Sequence, residues 1–292
     1  MAVLKEGSQG TEVKVLQSYL GLTPDGFFGA ATHKSVVAMQ KDWNLTADGI
    51  VGDETWAIVH SKNTWLRNNK SLLSTSLAFS TSKGSTAVLN SIANYGLLVD
   101  SIASALQIQP ASAHAVIAVE SAGSGMENNR MKIRFETHIF WRRWGKKHPD
   151  QFNKLWSFDS KEPWKEQTYQ GKSFHGNQNL EYKAFEHAKE LNAEAAFESI
   201  SMGAGQLMGF HWKTLGFDGP DTFYQNQADS ERNQIIVIFD FIKSNPTMLK
   251  ALQTEAWYTF AYNYNGSGQP EKYSKWLLQR CNTAKTILDA IQ

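Results

Sequence analysis

At 292 residues, with 41% hydrophobic and 20% charged residues, the chain can hold one large domain or a domain plus a small module, and its composition excludes disordered and fibrous classes. Its net charge of +1 hides an acidic first sixty residues and a mildly basic remainder, an asymmetry too weak to argue for nucleic acid. The longest apolar runs, such as Ile235–Phe239, fall far short of the ~18 residues of a membrane span, and no terminal signal segment is visible, so a soluble protein made in a cytoplasm is expected.

Residues 1–60 contain an internal repeat. "DGFFGAATHKSV" and "DGIVGDETWAIV" share D-G-x-x-G-x-x-T, carried by Asp25, Gly26 and Gly29 and again by Asp48, Gly49 and Gly52. Each Asp-Gly makes a turn that needs a positive φ, the second Gly permits close approach, and Thr32 or Thr55 opens an apolar-periodic helix. Val13, Leu16, Gln17 and Leu20 form a further short amphipathic helix ahead of them. A small three-helix module follows from this reading. With Gly7, Gly10, Val13, Leu16 and Gln17 supplying G-x-x-G-x-x-V-x-x-L-Q before the two repeats, the stretch resembles the type 1 peptidoglycan-binding module, which implies wall binding through it.

Residues 61–86 are rich in Ser, Thr, Asn and Lys and read as a connector that is partly packed, through Leu72, Leu73, Leu77 and Phe79. From residue 87 to 292 nearly every segment reads helical: Leu98–Leu106, Pro110–Glu120, Ala184–Ile200, Ser230–Lys243, Thr254–Asn263 and Glu271–Ile291. "MKIRFETHIFWRRW" alternates like a short strand that enters a helix. The expected class is therefore mostly α, with at most a small β-hairpin. Cys281, the single cysteine, sits on the apolar stripe of the last helix. It reads as packing, and it excludes an intrachain disulfide and zinc clusters of two or more thiolates.

Within "AHAVIAVESAGSG", Ala113, Val116, Ile117 and Glu120 share one helical face, which puts a carboxyl on an apolar stripe. Burial penalises the charged form and keeps a proton available near neutral pH, as a general acid for glycoside hydrolysis requires. The structural alternative is a helix-end Glu that reaches solvent or pairs with an arginine. "SMGAGQLMGF" can be a helix start with small residues, and Tyr264-Asn265-Gly266 is a turn signal whatever else it does.

Together "VESAGSG", "IRFETHIF", "SISMGAGQLMGF" and "FAYNYNGSG" resemble the phage-type N-acetylmuramidase domain of endolysins, in order and spacing. The resemblance implies a helical, lysozyme-like fold with Glu120 as catalytic acid. The chain is also similar to the goose-type lysozymes and lytic transglycosylases, whose Ser/Gly-Gln-Met and Tyr-Asn segments line the groove, and by that likeness Ser201, Gln206 and Met208 would border the sugar sites and Tyr264 and Asn265 would face the acid. Position 202 is Met where many members have Trp, which would loosen one sugar contact. The implied protein is a phage endolysin made in the host bacterial cytoplasm and acting on the wall after release. Its partner would be bacterial peptidoglycan, with no nucleic acid and no membrane association, and it would be a monomer.

Glu136 has two readings: a second catalytic carboxylate that activates water or stabilises the cation, or a brace paired with Arg134 or His138. His138, His148, His175, His187 and His211 show no metal-ligand spacing, so neither a metal nor any other cofactor is expected. The enzymatic alternative is a lytic transglycosylase that leaves 1,6-anhydro ends. The alternative of another class is a non-catalytic wall-binding protein.

Overall fold

The computed structural model of the chain describes residues 3–20, 22–42, 45–56, 83–120 and 125–291. In chain order the first described helices are α1 (Thr11–Tyr19), α2 (Ala30–Asp42), α3 (Lys83–Leu106) and α4 (Pro110–Glu120). Short strands follow: β1 (Met126–Glu127), β2 (Arg130–Met131) and β3 (Ile133–Phe135), then α5 (Thr137–Arg143), α6 (Pro149–Phe152) and β4 (Trp156–Phe158). Next come β5 (Gln167–Tyr169), β6 (Lys172–Ser173), α7 (Gln178–Leu191), α8 (Ala193–Glu198), β7 (Ile200–Met202) and β8 (Leu207–Met208). The chain closes with α9 (Pro220–Asp229), α10 (Glu231–Ser244), α11 (Pro246–Gln253), α12 (Trp257–Asn265) and α13 (Pro270–Ile291). These elements form two compact units, Met1–Gly123 with Ile242–Gln292, and Ser124–Phe241. The fold is mostly α. Its strands are two or three residues long and lie in three small antiparallel sheets.

In the N-terminal repeat, Gln17 on α1 is nearly inaccessible and ties one Asp-Gly turn together. Its Nε2 donates to Asp25 Oδ1 at 2.7 Å, to the Phe27 carbonyl at 2.9 Å and to Thr32 Oγ1 at 3.1 Å. Its Oε1 accepts from the Gly26 backbone at 2.9 Å. Gln40 on α2 repeats every one of these bonds with Asp48, the Ile50 carbonyl, Thr55 and Gly49, at 2.8–3.1 Å. The backbone N–H of Phe27, then the Gln17 amide, hold the Asp25 carboxyl below its ordinary range, and Ile50 and Gln40 do the same for Asp48.

Gly26 and Gly49 take φ of +82° and +74°, the left-handed conformation that the Asp-Gly reading requires. Apolar side chains from both repeats, Val13, Leu16 and Phe28 with Val36, Met39 and Val51, share one small core closed by Leu4 and Trp56. Residues 53–56 open a third helical segment. The connector 61–86 lies outside the described residues except for its last four, which begin α3.

In the same unit, α4 packs chiefly against α3 and α13. The sequence places one apolar face on this helix, but in the structure every residue from Ala111 to Ala118 is buried, so α4 is a core helix on all sides. Its alanines allow close approach, and its polar residues are engaged. Buried His114 contacts Ser91 Oγ through Nδ1 at 2.8 Å and Asp100 Oδ1 through Nε2 at 3.2 Å, which joins α4 to α3. Ser112 donates to Glu255 Oε1 at 2.9 Å, and Lys285 on α13 pairs with Glu255 at 3.0 Å. Cys281 is buried beside them, and loss of hydration pushes its thiol up, in keeping with a packing role.

In the second unit, β3, β7 and β8 form a sheet that pairs Arg134 with Ser201 and Ser201 with Met208. Period-2 alternation sends Ile133, Phe135, Ile200, Met202 and Leu207 to the buried side. Met202 is therefore a core residue and not a sugar contact, contrary to the sequence expectation. The "GAGQ" segment is the turn of a hairpin and not a helix start. Ala184–Ile200 is also not one helix: Asn192 breaks it and accepts from the Ala195 backbone at 2.8 Å, so α8 starts afresh. Phe135, Phe140, Phe152 and Trp156 make the aromatic core below α5, with Phe140 and Trp156 edge-to-face at 5.3 Å.

Candidate active site

Glu120 is the last residue of α4. The buried helix fixes its backbone, and the side chain keeps partial access to solvent. Asn265, the last residue of α12, donates from Nδ2 to Glu120 Oε1 at 3.4 Å. Gly266, at φ +74°, turns the chain immediately after it, which needs a residue without Cβ. Loss of hydration pushes the Glu120 carboxyl up to about 7 from 4.5, and the Asn265 bond acts weakly in the opposite sense. The negative end of the α4 dipole disfavours the carboxylate as well. The phenols of Tyr264 and Tyr273 are raised first by burial and second by the Glu120 charge, so both stand close to it. Of the residues expected to face the acid, Asn265 touches it and Tyr264 feels its field.

A proton-loaded carboxyl gives a definite pH dependence. Turnover that needs protonated Glu120 is at its plateau below about pH 7 and falls as pH rises through that value, tenfold per unit. Asn265→Ala removes a donor that favours the carboxylate, so the descending limb should move to higher pH. A pH–rate profile of both proteins on the same glycan checks this, and an unmoved limb would remove Glu120 from the role.

In the second unit three other expected residues gather on the β7-β8 hairpin, with Ser201 buried, Met208 half-buried and Gln206 exposed. Ser201 Oγ donates to Gln206 Oε1 at 3.0 Å, and Gln206 Nε2 donates to the Gly203 carbonyl at 2.9 Å. Gln206 sits in the hairpin turn at φ +44°. Met208 lies across from Ser201.

Glu136 follows β3 and has both oxygens occupied. Arg134 Nε donates to Oε1 at 2.8 Å and Gln167 Nε2 donates to Oε2 at 2.8 Å, with His138 Nδ1 3.4 Å from Oε2. Burial lowers the His138 pKa despite the adjacent carboxylate. Among the described residues there is no group of three or more potential metal ligands, and no single helix is long and apolar enough to cross a membrane.

Three residues that the sequence reading passed over hold the N-terminal module or the sheet and hairpin of the second unit in place. Gln40 was legible, because the repeat offset carries Gln17 onto it. Buried Gln234 accepts from the Ala204 backbone at 2.8 Å and so fixes the hairpin turn, and a Cβ at Gly125 would come within 1.8 Å of its Oε1. Buried Glu181 accepts from the Phe135 backbone at 2.8 Å and meets His175 Nδ1 at 2.9 Å. Neither of the last two lies in a motif.

A carboxyl raised by burial at the end of a core helix, beside a Tyr-Asn turn, in a chain that opens with a duplicated small module, fits a modular lysozyme-like glycoside hydrolase. Residues 109–285 match the model of the N-acetylmuramidase family, and the chain belongs to that family. Residues 9–59 match the model of the putative peptidoglycan binding domain. The chain is also similar to the crystal structure of the Burkholderia AP3 phage endolysin, at 27% identity and a TM-score of 0.53, over 97% of this chain and 99% of that one. It is a peptidoglycan-degrading enzyme.

Proposed function

We propose that the chain is a phage endolysin that hydrolyses the β-1,4 bond between N-acetylmuramic acid and N-acetylglucosamine, with Glu120 as general acid. The observation that carries this reading is a carboxyl raised to about 7 whose direct side-chain partner is Asn265. Glu120 gives its proton to the glycosidic oxygen as the bond to the anomeric carbon breaks, and the developing oxocarbenium ion takes the hydroxyl of a water whose proton passes to the Glu120 carboxylate just formed. Asn265 orients the carboxyl, and Ser201, Gln206 and Met208 offer polar and apolar contacts to sugar rings. In the working division residues 1–60 bind the wall, 61–86 connect and 87–292 cut. The module raises the effective concentration of the catalytic part along an insoluble polymer. Synthesis in the host cytoplasm and action on the wall after release complete the proposal.

One observation favours a second reading. Because both oxygens of Glu136 are held by Arg134 and Gln167, it suits a brace better than a water-activating base. Glu120 alone would then serve a lytic transglycosylase, in which the substrate's own C6 hydroxyl attacks. Mass spectrometry of fragments released from purified peptidoglycan separates the two. Reducing N-acetylmuramic acid ends are expected, 1,6-anhydro ends would replace the hydrolase with a transglycosylase, and reducing N-acetylglucosamine ends would overturn the bond assignment.

A further inference from the structure

A cavity of about 680 Å³ lies in the second unit and is lined by none of the site residues assigned above. One wall is a single stripe of α7, where Asn179, Tyr182, Lys183, Glu186, His187 and Glu190 recur at helical spacing. The stripe is three turns long, about 16 Å. Across from it stand Arg130 of β2, Tyr169 of β5 and Gln170 of the following turn.

The walls are fixed before any ligand arrives. The Arg130 guanidinium sits over the Tyr182 ring, 3.9 Å from its centroid, and donates to Asn179 Oδ1 at 3.0 Å. Tyr182 in turn donates to the Met131 carbonyl at 2.6 Å, and the Tyr169 hydroxyl contacts His187 Nδ1. Charge is segregated along the groove. Arg130 marks the end nearest the α7 N-terminus, and no salt bridge engages it among the described residues. Lys183 stands in the middle and is exposed. Glu186 and Glu190 mark the far end; Glu186 shares Lys189 at 2.9 Å, and Glu190 is exposed. The dipole of α7 points the same way, positive at the Arg130 end and negative at the Glu190 end.

A groove with cations at one end and carboxylates at the other matches a short acidic peptide bearing a free amine. Its length takes four or five extended residues at ~3.3–3.6 Å each. We infer that this groove binds the stem peptide of peptidoglycan, its carboxylates at Arg130 and Lys183 and the side-chain amine of its diamino acid at Glu190. The inference rests on the proposed peptidoglycan substrate and makes the enzyme a reader of peptide-bearing glycan.

The test uses the full chain, with Arg130→Ala and Glu190→Gln compared on intact wall and on the same glycan stripped of its stems by an amidase. Both variants should lose about tenfold in kcat/KM on intact wall and keep the parent rate on stripped glycan, with unchanged thermal unfolding. Equal losses on both substrates, or none on either, would overturn the inference. Should the parent chain cleave neither substrate, the proposed function fails, and a second measurement still decides the groove. A synthetic tetrapeptide with alanine, γ-linked glutamate, lysine and alanine is titrated against each protein by calorimetry. Binding should weaken at least tenfold in Arg130→Ala and on acetylation of the lysine amine. If the peptide does not bind, or chitotetraose displaces it, the groove is not a peptide site.

Discussion

Glu120→Gln should lower turnover on peptidoglycan by about two to four orders of magnitude, the range set by loss of a positioned general acid. The same substitution should make the protein more stable above neutral pH. A carboxyl raised to about 7 in the folded state, against 4.5 when unfolded, binds its proton more tightly when folded. Its ionisation therefore destabilises the fold progressively as pH rises from about 4.5 to 7, and the full penalty persists above that. The shift corresponds to at most about 3 kcal/mol, and partial solvent access reduces it. The neutral amide carries no such penalty. Thermal unfolding at pH 5 and pH 8, beside a turnover assay, checks both halves. A variant that is inactive and also destabilised at pH 8 would mark Glu120 as structural, and one that is fully active would remove it from the mechanism.

Replacing Gln17 and Gln40 together by Ala should unfold the N-terminal module and abolish retention of the full chain on insoluble wall. Each nearly inaccessible amide makes three donor contacts and accepts from a glycine N–H. Truncation strands several of those partners at about 1–3 kcal/mol apiece, and a module of this size has only a few kcal/mol in hand. Either single variant should weaken binding less than the pair does. Wall pull-down together with turnover on a short soluble glycan is the check. Retention by the double variant would show that the two knots do not hold the module, and loss of turnover on the soluble glycan would show that the damage spreads beyond it.

Much of this was legible in the sequence because short-range chemistry dictates it. The Asp-Gly turns require left-handed backbone, and Gly26 and Gly49 adopt it. Proline at the first position and a carboxyl at the last bound α4 where the pattern places it. The surroundings of the helix were less legible. Periodicity predicts one buried face, whereas α4 is enclosed by partners distant in the chain, which a local pattern does not encode. The "GAGQLMG" hairpin was missed for a related reason. Its strands are too short to alternate visibly, and its turn is fixed by Gln234, thirty residues from Ala204. Glu136 shows the same limit, since its pairing with Arg134 follows from spacing, but its bond from Gln167 depends on a strand in another sheet.

The enclosure of α4 also has a kinetic meaning. A helix packed on every side does not rearrange when a polymer arrives, so the backbone that carries Glu120, the proposed acid, is set during folding and not at each encounter. For an enzyme that meets a solid, heterogeneous sheet one bond at a time, no reorganisation of that helix is repeated from one cut to the next.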